Sequence, residues 1–400
     1  MSKDVLYIGK PYIENLTNQR KTRICVSIRQ GESEYVLWYE VDDVYGPYLC
    51  TERADGFVVN LLLYAMEHGL DIECDQCMTE RLYYQLVEYL IPCISKNTRK
   101  YRAISIKVAL DDSPINSAHA VGASLSGGVD SFYTLLRHIK RKEKSLNITH
   151  LTFFNAGASG EYGGDDARER YQERINWIKA VAEELGKELL CVDTNANEYI
   201  KQNHEATHTF RTLAIPLILQ KLFSRYYFAS GFPFQSFVFR DDDTACYDLL
   251  NVQCLSTDTL TFYSSGGEAT RLDKLRYISE FPITYNRLNV CVADAVNCSR
   301  CEKCARTMVG LYAIGKLDLY DGVFDLDYFE KHKHKYLSDS IKYLKSHDWP
   351  ESYALLKESH KLSIFDYCMG IPKLIFYEGR KAIAKNTLAK AIYHKLKRKK

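Results

Sequence analysis

Two groups of residues in this chain have types and spacings that could do chemistry. The first is "SLSGGVDS", residues 124–131, where Ser126, Gly127, Gly128, Asp130 and Ser131 stand between an apolar run and an amphipathic one. Two adjacent glycines let a backbone turn sharply and approach a ligand closely, and the N–H groups that open the following helix favour an anion. Phosphate is the natural guest of such a turn, because the hydroxyls of Ser126 and Ser131 can donate to its oxygens. Asp130 would repel phosphate directly, but a carboxylate beside phosphates suits a magnesium ion. The lysine of a GxxxxGK[ST] loop is missing, so this is not the usual nucleoside-triphosphatase turn. A serine-capped glycine turn accounts for two or three of these residues but not for the set.

The second group lies in "NVCVADAVNCSRCEKCARTM", residues 289–308, where Cys291, Cys298, Cys301 and Cys304 form a C-x6-C-x2-C-x2-C array. Four thiolates complete a tetrahedral zinc site and leave no open coordination position. Free buried cysteines would not normally place three of their number three residues apart. An iron–sulfur cluster is the other use for such a set. Cys74 and Cys77 make a lone CxxC with no second pair nearby, and no ligand is expected there.

These groups need elements to hold them. From residue 120 to about 230 apolar runs alternate with amphipathic ones: "VGASL", then Phe132, Leu135, Leu136 and Ile139 on one helical face, then "ITHLTFF". Tyr171, Ile175, Ile178, Ala182 and Leu185 share the next face, followed by "ELLCVDT", "LAIPLILQKLF" and "YYFASG". Such alternation predicts a parallel sheet with helices on both faces, and "SLSGGVDS" then sits at the carboxyl end of its first strand, where open sheets bind ligands. Residues 1–115 mix strand-like and helix-like runs and predict a small α+β domain without a recognisable catalytic constellation. The turn-rich "DDSPINSAHAVG" reads as a linker, and residues 313–400 as a helical extension.

"SGGVDS" resembles the SGGxDS signature of the PP-loop ATP pyrophosphatases, and the cysteine array is similar to the zinc site of the 7-cyano-7-deazaguanine synthases within that superfamily. The resemblance covers residues 118–312, about half the chain, and is carried by the two motifs and the strand–helix order between them. It implies an adenine nucleotide alpha-hydrolase-like α/β fold, with ATP and magnesium held by Ser126, Gly127, Gly128, Asp130 and Ser131, and zinc held by the four cysteines. It also implies an activity: a substrate carboxylate attacks the α-phosphate, pyrophosphate leaves, and ammonia or an amine displaces AMP. Those synthases are shorter than this chain, so the resemblance says nothing about residues 1–115 or 313–400, or about which carboxylate is the acceptor. A PP-loop sulfur transferase, with Cys191, Cys246 or Cys254 as carrier, is the first alternative. A catalytically silent nucleotide-binding module is the second.

Weaker features surround this centre. His208 and Arg211 in "HEATHTFRT" precede an apolar run at the ligand-binding edge and could meet a triphosphate, though a solvated helix start has the same appearance. Gly231 in "SGFPFQSF" follows a strand and would line the same cleft. The Gly-rich "NAGASGEYGGDD", 155–166, could make a lid, or be a surface loop without a role. Arg271, Lys274 and Arg276 could face an acidic ligand but read first as a solvated helix face. Nine Lys or Arg and no acid lie between Arg380 and Lys400, which suits a basic amphipathic helix meeting nucleic acid or a membrane surface, or a solubilising tail. With 46% hydrophobic residues, 26% charged residues and a formal net charge of +2, composition names no partner; a homodimer is compatible with it. The first 30 residues lack a charged start followed by an apolar run, and clustered cysteines suit a reducing compartment, so a cytoplasmic protein is expected.

Overall fold

The computed structural model describes residues 5–292, 294–345 and 349–385. The chain divides into two compact units, Met1–Glu268 and Ala269–Lys400. Most of the basic run at the carboxyl end, 386–400, lies outside the described residues.

Among the described residues the first unit is built on thirteen strands: β1 (Val5–Ile8), β2 (Tyr12–Leu16), β3 (Lys21–Gln30), β4 (Ser33–Asp42), β5 (Asp71–Cys74), β6 (Met78–Thr79), β7 (Ile106–Lys107), β8 (Leu110–Asp111), β9 (Ala120–Ser124), β10 (His150–Phe154), β11 (Glu188–Thr194), β12 (Phe223–Ala229) and β13 (Thr261–Ser265). Eleven of them form one sheet in the order β13-β12-β9-β10-β11-β4-β3-β1-β5-β7, with β2 paired to β3, while β6 and β8 pair separately. From β13 to β11 every pairing is parallel. Counted from β9, these five strands run 3-2-1-4-5, the order of doubly wound sheets. The α/β architecture with a parallel half-sheet is as the alternation of apolar runs predicts. β9 reads "AVGAS" with its first four residues buried, as expected for a strand covered on both faces.

The amino-terminal segment does not form a separate domain. Its strand β4 pairs antiparallel with β11, Asp193 opposite Glu40 and Thr194 opposite Tyr39, so the sheet continues without a break. β3 and β4 form a hairpin whose register places Gln30 opposite Ser33. Gly31 takes the positive φ, +58°, that such a two-residue turn requires. Helix Asp55–His68 then packs on helix His208–Ile218, and Gly56 allows the approach. A Cβ there would lie 2.6 Å from Ala214 O and against the Ile218 side chain. One apolar core therefore runs from Leu6 and Ile24 through Phe57 to Phe210 and Phe223.

The second unit is helical, with its core on Leu275, Met308, Tyr320, Phe329, Tyr336 and Leu356. The expected boundaries at 115–118 and 312–313 therefore move to 268–269, because sheet pairing draws the amino-terminal segment into the first unit and the cysteine array packs with the carboxyl-terminal helices. Lys274 also departs from expectation: it is 2% exposed rather than part of a solvated face. Among the described residues, no helix is long and apolar enough to cross a membrane.

Candidate functional site

The sheet changes direction of growth at β9, between β10 and β12, and a cavity of about 250 Å³ opens at the carboxyl ends of these three strands. Its lining includes Ser124, Ser126, Asp130 and Ser131 from the β9 side, Thr152 to Phe154, Ala156 and Ala158 from the β10 side, and Phe228 and Ala229 from β12. After Leu125 the chain turns through Gly127 at φ +83°, a conformation glycine adopts without strain, and enters helix Val129–His138. The turn is tied internally. Gly128 N donates to Ser126 Oγ at 3.4 Å, Ser126 Oγ lies 3.2 Å from Ser131 Oγ, and Ser131 Oγ donates to Gly128 O at 2.9 Å. The two serine hydroxyls therefore face each other across the turn, with Asp130 at the cavity wall. Behind them, Tyr226 OH bridges Ser124 Oγ (2.7 Å) and Thr152 Oγ1 (2.5 Å), which locks β9, β10 and β12 together under the cavity.

Arg211 and Gly231 are not among the residues that line it. Arg211 is 2% exposed and donates to Glu161 O (3.2 Å), Asn197 Oδ1 (3.0 Å) and Gln202 O (2.8 Å). Burial pushes its guanidinium down to about 10. It acts as a clamp on the Gly-rich loop after β10. Arg170 Nε adds a bond to Ser159 O at 2.6 Å, and the Glu161 carboxylate accepts from Asn203 Nδ2 (2.6 Å) and His204 N (2.7 Å). The cavity side of that region is instead supplied by His204, His208 and Thr212. His204 and Thr212 escaped the sequence reading: Thr212 lies one helical turn beyond His208 on helix His208–Ile218, while His204 stands in the turn before that helix.

The four cysteines come together in the second unit. Their Sγ atoms all lie within 4.8 Å of one another, and Cys291 Sγ is 3.9 Å from Cys301 Sγ. A tetrahedral zinc with bonds of about 2.3 Å holds its thiolates roughly 3.8 Å apart, so the set fits one ion. An iron–sulfur cluster, with irons and sulfides between the ligands, would need them further apart. Backbone N–H groups support the thiolates: Arg300 N and Cys301 N point at Cys298 Sγ (3.5 and 3.3 Å), and Cys304 N at Cys301 Sγ (3.5 Å). Burial raises the Cys298 thiol, but the N–H groups of Arg300 and Cys301 together with the neighbouring Cys291 and Cys301 thiols outweigh it and bring it down to about 7. The knuckle is held by Ser299, at φ +56°, whose Oγ accepts from Asp325 N (2.9 Å) and whose carbonyl accepts from Tyr336 OH (2.7 Å). Among the described residues these four cysteines are the group placed to hold a metal such as zinc.

Compared with known proteins, the chain matches no family model, no curated protein and no solved structure.

Proposed function

We propose that this protein is an ATP-dependent ligase of the PP-loop type, which adenylates a substrate carboxylate, releases pyrophosphate and passes the acyl group to ammonia or an amine. The observation that carries this reading is the lining of the cavity by Ser126, Asp130 and Ser131 at the carboxyl ends of β9, β10 and β12, where a doubly wound sheet binds its ligand. The turn suits the departing pyrophosphate: the glycine backbone can come close to it, and the hydroxyls of Ser126 and Ser131 can leave their mutual contact and donate to its oxygens. Asp130 would hold magnesium, which neutralises charge growing on the phosphates. Leu125, Phe153, Phe154 and Phe228 give apolar walls that suit a planar base or acceptor ring. The four-cysteine site would be structural, since four thiolates leave a zinc no open position.

Sulfur transfer is the less favoured alternative on specific grounds. Cys191, Cys246 and Cys254 do not line the cavity. Burial pushes their thiols up to about 11, 12 and 11, whereas a persulfide carrier needs a thiolate. A silent module would have no need to keep Asp130 at the cavity wall. The test is the product of ATP turnover with magnesium and a carboxylate acceptor. AMP and pyrophosphate are expected, with a loss of about 100- to 1,000-fold for Asp130→Ala. Ammonium should support product formation, and Cys191→Ser, Cys246→Ser and Cys254→Ser should each keep most of it. ADP and phosphate as main products would overturn the reading.

A further inference from the structure

Among the described residues the last helix, Ile364–Lys385, packs on one side and is exposed on the other. It opens on a capping pair: Ser363 N donates to Asp366 Oδ2 (2.8 Å) and Asp366 N to Ser363 Oγ (3.3 Å). Asp366 is fully buried, and its other oxygen lies 2.8 Å from Nδ1 of His334 on helix Lys333–Lys342. Further along, a Cβ on Gly370 would lie 2.6 Å from Ile341 Cβ, Lys373 Nζ donates to Ser338 Oγ (2.8 Å), and the Tyr377 ring stands 5.1 Å from that of Tyr343. These contacts fix which side of the helix turns inward.

The opposite side is apolar. Ile364, Phe365, Ile371, Ile375 and Phe376 are 83, 57, 46, 67 and 67% exposed. At about 100° per residue these five fall within roughly 140° of the helix circumference, and the exposed Cys368, Pro372 and Gly379 fall among them. No charged residue belongs to that arc between Ile364 and Gly379. Five large apolar side chains left contiguous and this exposed mark a surface that something covers.

Charge decides what covers it. From Arg380 to Lys400 the sequence carries nine Lys or Arg and no Asp or Glu. The acids of the helix are engaged inside the protein, Asp366 with His334 and Glu378 with Lys345 and Lys381. A second copy of the chain would therefore bring like charges together with no free acid on this helix to answer them. Pro372 and Gly379 would also interrupt the regular knobs of a helix pair, and the arc is wider than a two-helix seam needs. A nucleic acid would use the cations but has no use for three isoleucines. An anionic lipid surface uses both features, apolar side chains entering the acyl boundary and basic ones meeting the headgroups.

We propose that helix Ile364–Lys385 lies along an anionic lipid surface, with Ile364, Phe365, Ile371, Ile375 and Phe376 at the boundary of headgroups and acyl chains and the basic run from Arg380 onward against the headgroups. Apolar burial and charge attraction add, so loss of either weakens attachment. The inference is independent of the ligase reading.

Co-sedimentation of the full chain with lipid vesicles tests it. Wild type should bind phosphatidylcholine vesicles containing about one-third phosphatidylserine at least about 10-fold more tightly than phosphatidylcholine alone, and raising salt from about 0.1 M to about 0.5 M should remove most of the difference. Ile371→Ser together with Ile375→Ser should weaken binding at least about 10-fold and Phe376→Ser alone about 3-fold, while Ile371→Leu with Ile375→Leu should change it less than about 2-fold. Because these side chains are exposed, each variant should melt within about 4 °C of wild type. If the serine pair melts earlier than that, Phe376→Ser carries the comparison. Failure of wild type to bind the phosphatidylserine vesicles overturns the proposal, whatever it does with nucleic acid. Binding that the serine variants retain in full overturns it too, since the basic run would then act alone. A wild type that ignores vesicles but sediments as a dimer, and becomes a monomer with Ile371→Ser and Ile375→Ser, gives the face to a second copy and overturns it as well.

Discussion

Burial lifts the Asp248 carboxyl to about 7, against the hydrogen bonds from Thr209 and Asn251 that pull it down. A carboxyl whose folded value lies above its unfolded one binds more protons when folded, so its contribution to stability is complete below the unfolded value near 4 and is lost as pH rises towards 7. Asp248→Asn removes this linkage. Relative to wild type, the variant should gain about 2–4 kcal/mol between pH 4 and pH 8, since each tenfold difference in proton affinity between the folded and unfolded chain is worth about 1.4 kcal/mol. Denaturant unfolding of both proteins at the two pH values measures it, and parallel stabilities would show that the carboxyl titrates normally. Residue placement was legible where a local pattern carried it. Ser126, Asp130 and Ser131, close together in sequence, line one cavity, and the four closely spaced cysteines come together as a thiol cluster. Arg211 was misplaced because an arginine beside a ligand edge looks the same in sequence whether it faces a phosphate or, as here, three acceptors of its own protein.

Among the elements, the pair of helices Asp55–His68 and His208–Ile218 links the amino-terminal segment to the wall that carries His208. Gly56 permits their contact, since a methyl group there would fall 2.6 Å from Ala214 O and against Ile218. Gly56→Ala should therefore cost roughly 1–3 kcal/mol, the usual range for overpacking, although alanine is the better helix former. A lower denaturant midpoint at unchanged slope would bear this out, and a stabilised variant would refute it. The helix itself was readable: "ADGFVVNLLLYAMEHG" ends at Gly69, whose φ of +69° makes a left-handed cap with its N–H on Ala65 O. Its packing partner was not, because two apolar faces do not say which of several others each will meet. "RAISIKVAL" yields only the two-residue strands β7 and β8, where tertiary context limits what β-propensity suggests.

At the scale of the whole molecule the metal prediction is the most direct. If Cys291, Cys298, Cys301 and Cys304 hold one ion, purified protein should carry about one zinc per chain. Binding free energy at such a site is also folding free energy, so Cys301→Ser or a strong chelator should remove the metal and lower the melting temperature by at least about 5 °C. A metal-free protein with unchanged melting would exclude the site. Sequence by itself determined the alternation that makes a parallel α/β sheet, the turn at the end of its first strand and the thiol set, because each depends on residues close together in the chain. Only the tertiary structure decided that β4 joins β11, that the chain divides at Glu268 rather than near 115 or 312, and that His208 and Thr209 meet Thr244 and Asp248 of a distant segment. Backbone pairing along a strand edge and contacts between helices are made by groups every residue possesses, so they leave no local pattern, and which of them form is settled by the packing of the whole core.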